Sequence, residues 1–370
     1  MSYQSGTMGI AEGMALVFIL VFPRIFLTTP IQLIQESAGL GWLAAFFGGF
    51  ICMGVALALN YATRHTEGDL LAAVKKYLGT FGFYLTGLTY AVIFFVNYIL
   101  LVRQFAENTL LTALPNIEFS VIIALYAAVA AALVYLGGIE PVARGTYLLW
   151  PFSVAGLVIV LALLAPEYNV YNLAPWQGNG LLQFARDSVI FGDFNVGVLS
   201  ILILGSAFHN YHTKAKAIVF GLGISALLRS LSIMVFTMVF GVETGREKVL
   251  PFFEMARLVY ISIFLQRIEA LFIILWVIIG IFSIAASLHT GLYLLTRMLT
   301  LPAMRPLIPA VTLILMQIAM LPGDITSVIQ ADIMMTKTLF AAGIYGLPAI
   351  IILAAVIKGK RKRKPCLPAS

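Results

Sequence analysis

The sequence predicts an all-α polytopic membrane protein of ten transmembrane helices, and three observations carry that prediction. Of the 370 residues, 61% are hydrophobic and only 11% are charged, where an ordinary soluble domain carries roughly 25% charge. Mean hydropathy is +1.00. The apolar residues gather into long uninterrupted runs rather than the short alternating segments of a transmembrane barrel. A soluble globule cannot hide that much apolar surface, so soluble enzymes, nucleic-acid binders and disordered scaffolds are excluded. Each span takes about 20 residues, which leaves chain for connections and too little for a sizeable soluble domain. Residues 1–357 therefore read as a single ten-helix transmembrane domain and 358–370 as a basic tail.

The runs fall at 8–29, 38–60, 81–104, 119–138, 147–165, 188–208, 218–241, 269–297, 304–322 and 337–357. Each is long enough to cross about 30 Å as a helix rising 1.5 Å per residue. The fourth and fifth are separated by Gly137-Gly138-Ile139-Glu140-Pro141 and by Arg144. Three connections are sizeable, at 61–80, 166–187 and 242–268. In the last of these, residues 251–261 read as an amphipathic helix lying over one face of the bundle. No cleavable signal peptide is apparent, and the first span is expected to act as its own insertion signal.

The net charge of +7 is a matter of topology rather than of nucleic-acid binding. Six of the 23 Lys and Arg residues are Lys358, Lys360, Arg361, Lys362, Arg363 and Lys364, directly after the last apolar run. Such a tail anchors against an anionic inner leaflet. Ten spans put both termini on one side, and the tail makes that side cytoplasmic. Cys52 lies in a span and Cys366 in the tail, which argues against a disulfide.

Ionisable groups inside a span are costly and are functional candidates. In the first span, Pro23 removes a helical hydrogen bond and frees backbone groups near Phe22. Arg24 follows at once, offering a planar fork of donors suited to a carboxylate. A snorkelling Arg24 beside a packing kink is the alternative. The sixth span carries Gly192, Asp193 and Gly197, so an unwound segment there is cheap. Asp193 lies at a depth near that of Arg24, where the two could bracket a zwitterion or form a structural ion pair. Arg229, in the middle of the seventh span, needs a buried partner, and Glu12 reaches the inner end of the first; both are buried ionic or coupling candidates. His289 is a weaker one. His209 and His212 lack the spacing of a helical zinc site, no nucleotide-binding glycine loop or catalytic dyad appears, and neither an enzyme activity, a metal nor a cofactor is expected.

Several stretches together resemble a known family. They are Gly138-Ile139-Glu140-Pro141-Val142-Ala143-Arg144, Leu173-Ala174-Pro175-Trp176-Gln177-Gly178-Asn179-Gly180, Phe240-Gly241, and residues 264–276 from Phe264 to Trp276. With Gly13, Pro30, Trp42 and Phe191-Gly192-Asp193, the chain resembles the B subunits of bacterial spore germinant receptors, the spore germination permease family of the amino acid–polyamine–organocation superfamily. The resemblance implies the amino-acid-permease and sodium-symporter fold: an inverted five-plus-five repeat with helices 1 and 6 discontinuous at the ligand site. It further implies a nutrient-binding subunit, commonly for an amino acid, that works with A and C subunits in the spore inner membrane. The chain departs from its relatives in placing Pro23-Arg24 where they carry a glycine-rich break. A proton- or cation-coupled secondary amino acid transporter, with Asp193 or Glu12 carrying the ion, is the second reading.

Overall fold

The computed structural model describes residues 8–27, 29–64, 66, 69–190, 196–208, 210–259 and 268–361. Among them there is no strand, only an isolated bridge between Met8 and Phe208. Among the described residues, seven helical segments are long and apolar enough to cross a membrane, and the helices follow the order of the ten expected spans, the first of them interrupted at Leu27. The first span is α1 (Ile10–Phe26) followed by α2 (Thr29–Ser37). Helix continues through Pro23 and ends at Leu27, whose φ of −92° and ψ of −130° leave the helical region. The break expected at Pro23 therefore comes one turn later, and Pro30 explains it. A proline at 30 cannot donate to the Phe26 carbonyl, and its ring crowds that carbonyl. Pro23 breaks only its own bond.

The remaining elements follow the same logic. Helix α3 (Gly41–Ala62) is the second span. Helix α4 (Leu70–Thr112) begins with a short segment and turns at Gly79 into the third span. Gly79 has φ of +80°, which a residue with a side chain adopts only under strain. Helices α5 (Phe119–Gly137) and α6 (Ile139–Leu163) are the fourth and fifth, joined at Gly138. The sixth is α7 (Leu181–Ile190) and α8 (Val196–Ile203), with 191–195 outside the described residues. Helix α9 (Tyr211–Phe240) is the seventh. After α10 (Val242–Arg246), helix α11 (Pro251–Leu258) forms the expected amphipathic loop helix. Helices α12 (Ile268–Met298) and α13 (Leu307–Ala319) are the eighth and ninth.

The tenth span corrects the sequence reading. It was expected at 337–357, but helix begins with α14 (Ile325–Met335) and runs through two π-helical stretches, Thr336–Phe340 and Ala342–Gly346, into α15 (Leu347–Arg361). Asp332 and Lys337 both lie within the helical rod. The first span is likewise longer than 8–29, because α2 extends it to Ser37. Helix α15 also carries Lys358, Lys360 and Arg361, so the start of the basic tail is helical.

The core is centred on α1. Every side chain from Ala15 to Phe26 is buried, and α8 is buried along its whole length. A helix with no exposed face lies inside a bundle rather than against lipid. Small residues permit the closest approaches. A Cβ on Gly13 would sit 2.6 Å from the Phe208 ring and 2.8 Å from Ala217, and one on Gly221 would sit 2.8 Å from Val17. Across the α4–α12 contact, Gly280 receives the ring of Phe105 and Gly291 that of Phe95. Below α1, Met8 N–H donates to the Ala207 carbonyl at 2.9 Å, tying the start of the first span to the end of the sixth.

Candidate functional site

The break at Leu27 and the polar groups around it make up the candidate site. Arg24 lies near the middle of the combined α1–α2 span, deeper than a span ending at 29 would place it. It is 6% exposed and Asp332, on α14, is 1% exposed. Arg24 Nη1 donates to Asp332 Oδ1 at 3.1 Å, and Arg24 Nη2 donates to Asn97 Oδ1 on α4 at 3.0 Å. The guanidinium also lies 5.7 Å from the centroid of the Phe340 ring. Asn97 Nδ2 passes the network to Ser287 Oγ on α12 at 2.8 Å. The second carboxylate oxygen, Asp332 Oδ2, accepts from Gln32 Nε2 on α2 at 3.3 Å and from Gln104 Nε2 on α4 at 3.4 Å.

A buried carboxylate supplied with donors and a buried guanidinium supplied with acceptors is the arrangement that makes charge tolerable away from water. The network joins both halves of the first span to α4, α12 and α14. It therefore locks the position of the broken helix relative to the third, eighth and tenth spans. Farther along the same pair of spans, Lys337 Nζ lies 2.8 Å from Glu36 Oε1. Ser37 Oγ donates to Asp187 Oδ2 at 2.8 Å, pinning the end of α2 to α7.

The face carrying the chain ends has its own lock. Asp69 caps α4 by accepting from Leu71 N–H at 3.0 Å, and Arg297 Nη1 on α12 lies 2.5 Å from Asp69 Oδ2. Arg297 Nη1 also donates to Tyr293 Oη at 3.1 Å. Lys214 Nζ, on α9 and buried, reaches Thr63 Oγ1 at the end of α3 at 3.5 Å.

The sequence-predicted residues are distributed as follows. Phe22 and Pro23 are buried in α1; the Phe22 ring stacks on Phe18 at 4.3 Å and meets Phe26 edge-on at 4.8 Å. Gly197 is buried in the first turn of α8. Gly192 and Asp193 lie outside the described residues, as does His209. Glu12 Oε2 accepts from Gly9 N–H at 3.1 Å, which makes it a helix-capping group at the start of α1. Arg229 is buried on α9. His289 is buried on α12, stacked against Tyr293 at 6.5 Å. Sequence reasoning missed Asp332, Asn97, Gln104, Gln32 and Ser287. Asn97 and Gln104 were visible as amides within an apolar run; Asp332 was hidden by the misplaced span boundary.

The fold is similar to that of solved membrane transporters. The chain is similar to Mhp1, a nucleobase-cation-symport-1 family transporter in a closed conformation with bromovinylhydantoin bound, at 15% identity over 95% of this chain and 80% of that one, with a TM-score of 0.66. It is similar also to MhsT in complex with L-phenylalanine, at 14% identity over 96% of this chain and 99% of that one, with a TM-score of 0.63. A mutant manganese transporter of Eremococcus coleocola gives 14% identity, 94% and 76% coverage and a TM-score of 0.50. These likenesses fix the fold class, a multi-pass membrane protein of transporter type. The family model described as spore germination protein matches residues 8–328, and the chain belongs to that spore permease family. It has no significant match among curated protein sequences.

Proposed function

We propose that the chain is the nutrient-binding membrane subunit of a spore germinant receptor, with a small zwitterion, an amino acid, held between the breaks of the first and sixth spans. The observation that carries this reading is a first span buried from Ala15 to Phe26 and broken at Leu27, in a chain of the spore germination family. At each break, helix ends leave backbone donors and acceptors without intrahelical partners. The starts of α2 and α8 suit a carboxylate; the ends of α1 and α7, with Asp193, suit an ammonium. Phe22, Pro23, Gly192 and Gly197 belong to the same walls. Arg24 is committed to Asp332 and Asn97, so it acts on the ligand by exchanging partners rather than as a waiting fork. Arg229 stays in this reading as a buried ionic group of the seventh span, and Glu12 as the inner-end group a coupling ion would use.

In this reading the membrane is the spore inner membrane, both termini are cytoplasmic, and residues 358–370 form the basic cytoplasmic tail of a domain spanning 1–357. The A and C subunits read the arrangement of the bundle. The test is thermal stability of the purified protein against all twenty amino acids, alone and with the A and C subunits. A ligand at 100 times its dissociation constant stabilises by about 2.7 kcal/mol. A shift with a few amino acids supports the proposal, and the absence of any shift with the subunits present refutes it. The second reading, a proton- or cation-coupled amino acid transporter, is favoured by the likeness to Mhp1 and MhsT. Accumulation of the stabilising amino acid in liposomes, collapsing with the ion gradient, would select it.

A further inference from the structure

The connection between α6 and α7 carries more exposed apolar surface than a water-facing loop should. Tyr171 is 84% exposed, and Leu181 and Leu182, which open α7, are 83% and 88% exposed. Val170 and Trp176 are exposed beside them. Single exposed apolar residues are ordinary, but a run of them on one segment marks a contact surface. This exposure does not come from a loose backbone. Asn169 accepts from Tyr171 N–H at 3.1 Å and so caps the turn Val170–Leu173. Asn172 Nδ2 donates to the Met238 carbonyl near the end of α9 at 2.8 Å, and Asn179 Nδ2 donates to the Glu36 carbonyl on α2 at 2.6 Å. Just past α2, Gly39 lies so close that a Cβ there would sit 1.9 Å from the Leu173 carbonyl oxygen. The segment is fastened to α2 and α9, and its large side chains stay outside the core.

The surfaces that adjoin this patch show what covers it. Phe184, two residues after Leu182 on α7, meets the Phe47 ring of α3 edge-on at 6.1 Å. Phe47 belongs with Phe50 and Ile51 to the exposed face of α3. That helix lies in Thr29–Thr63, an apolar segment long enough to cross a membrane, and in a multi-pass membrane protein such a face meets lipid. The patch therefore continues the lipid-facing surface instead of standing alone in water. Its composition fits the same place, because the amphipathic rings of Trp and Tyr gather at headgroup level.

We propose that residues 170–182 are seated in the adjoining leaflet, at the boundary between headgroups and acyl chains. Tyr171 and Trp176 lie among the headgroups, and Leu181 and Leu182 reach the upper acyl chains. Residues expected to form a solvent-facing connection thus act as an interfacial anchor, and the partner they fit is the lipid surface. Because the same segment is fastened to Glu36 and Gly39, the leaflet holds α2, the half of the first span beyond the break at Leu27. The anchor is separate from the ligand site and stands whether or not the chain is a nutrient receptor.

The test is tryptophan fluorescence of the full-length protein in phosphatidylcholine nanodiscs. Combining Trp42→Phe, Trp150→Phe and Trp276→Phe leaves Trp176 as the one indole of the chain. Lipid brominated high on the acyl chain should lower its emission about twofold, because interfacial segments sit about 5–10 Å into the headgroup and acyl boundary. Iodide in the aqueous phase should have a several-fold smaller effect. Adding Leu181→Asp and Leu182→Asp should draw the segment towards water and reverse that order of the two quenchers. If the triple Phe variant does not fold, the difference in bromolipid quenching between wild type and Trp176→Phe carries the test. Quenching by iodide without quenching by bromolipid would make the segment an aqueous loop, and quenching by neither would make it a surface covered by protein. Either result, or a Trp176→Phe protein quenched like wild type, would overturn the proposal.

Discussion

Truncating Asp332 to alanine should be the most damaging single change in the polar network. The substitution removes the acceptor for Arg24 Nη1, Gln32 Nε2 and Gln104 Nε2 together, at 3.1, 3.3 and 3.4 Å. It takes the Asp332 carboxylate away from a guanidinium at 6% exposure that also contacts Asn97 and the Phe340 face. Removing one member of a buried ion pair costs about 3–5 kcal/mol, a large share of the roughly 5–15 kcal/mol that holds a typical domain. Detergent-purified Asp332→Ala should therefore melt well below wild type or fail to accumulate. The double variant Arg24→Met with Asp332→Leu replaces both charges with apolar groups of similar reach. It should recover most of the loss, since a buried pair exchanged for hydrophobic contact is often neutral. The assay is a double-mutant cycle of melting temperature across wild type, Arg24→Met, Asp332→Leu and the double variant, with Asp332→Ala measured alongside. Additive losses, or an Asp332→Ala protein as stable as wild type, would show that the pair does not carry the coupling assigned to it.

Three further outcomes follow from other parts of the structure. Gly13→Leu or Gly221→Leu places a side chain where a Cβ alone would lie 2.6–2.8 Å from neighbouring atoms, so each should destabilise by about 1–3 kcal/mol, read as a lowered melting temperature. Arg297→Met should loosen the start of α4, because Asp69 loses its 2.5 Å partner while still capping Leu71; amide exchange should rise over residues 69–74 and stay unchanged in α14. Asp324 is held below the usual carboxylate range by the backbone N–H of Ser327. A lowered folded pKa means that its contribution is present at neutral pH and lost as pH falls below about 4. Exchange in the first turn of α14 should accelerate in acid, and Asp324→Asn should flatten that dependence.

Hydropathy made most of the fold legible. Runs such as 119–138 and 218–241 lie within or across α5 and α9, and the amphipathic stretch at 251–261 contains α11. The breaks were legible as chemistry and displaced in position. Pro23 drew attention to the first span, yet the residue that frees a carbonyl at the actual break is Pro30. Asp332 and Lys337 look like loop residues when taken singly. Each has a partner on the first span, Arg24 or Glu36, and the Arg24–Asp332 contact joins residues 308 positions apart. No local pattern carries that information. Arg24 itself was recognisable from cost alone, since a cation so far into an apolar run demands a partner.

The partner of Arg24 bears directly on which ligands could act in the receptor reading. Moving a bundle from a 1:99 to a 99:1 balance takes about 5.5 kcal/mol of differential affinity. Simply breaking the Arg24–Asp332 pair would cost about 3–5 kcal/mol, so a ligand that opened it without replacing it would spend most of its advantage there. A ligand carboxylate that takes over Arg24 as Asp332 withdraws avoids that loss, because one charge-assisted contact is exchanged for another. The amino acid amide, which lacks the anion, should therefore trigger a response about 10–150-fold less potently than the acid, the equivalent of roughly 1.5–3 kcal/mol. Asp332→Asn weakens the competitor without emptying its volume, and should lower the concentration of acid needed. Both are read from germination dose–response curves at matched protein levels. Equal potency of acid and amide, or an Asp332→Asn receptor with an unchanged curve, would leave the ion pair as a structural lock with no part in sensing.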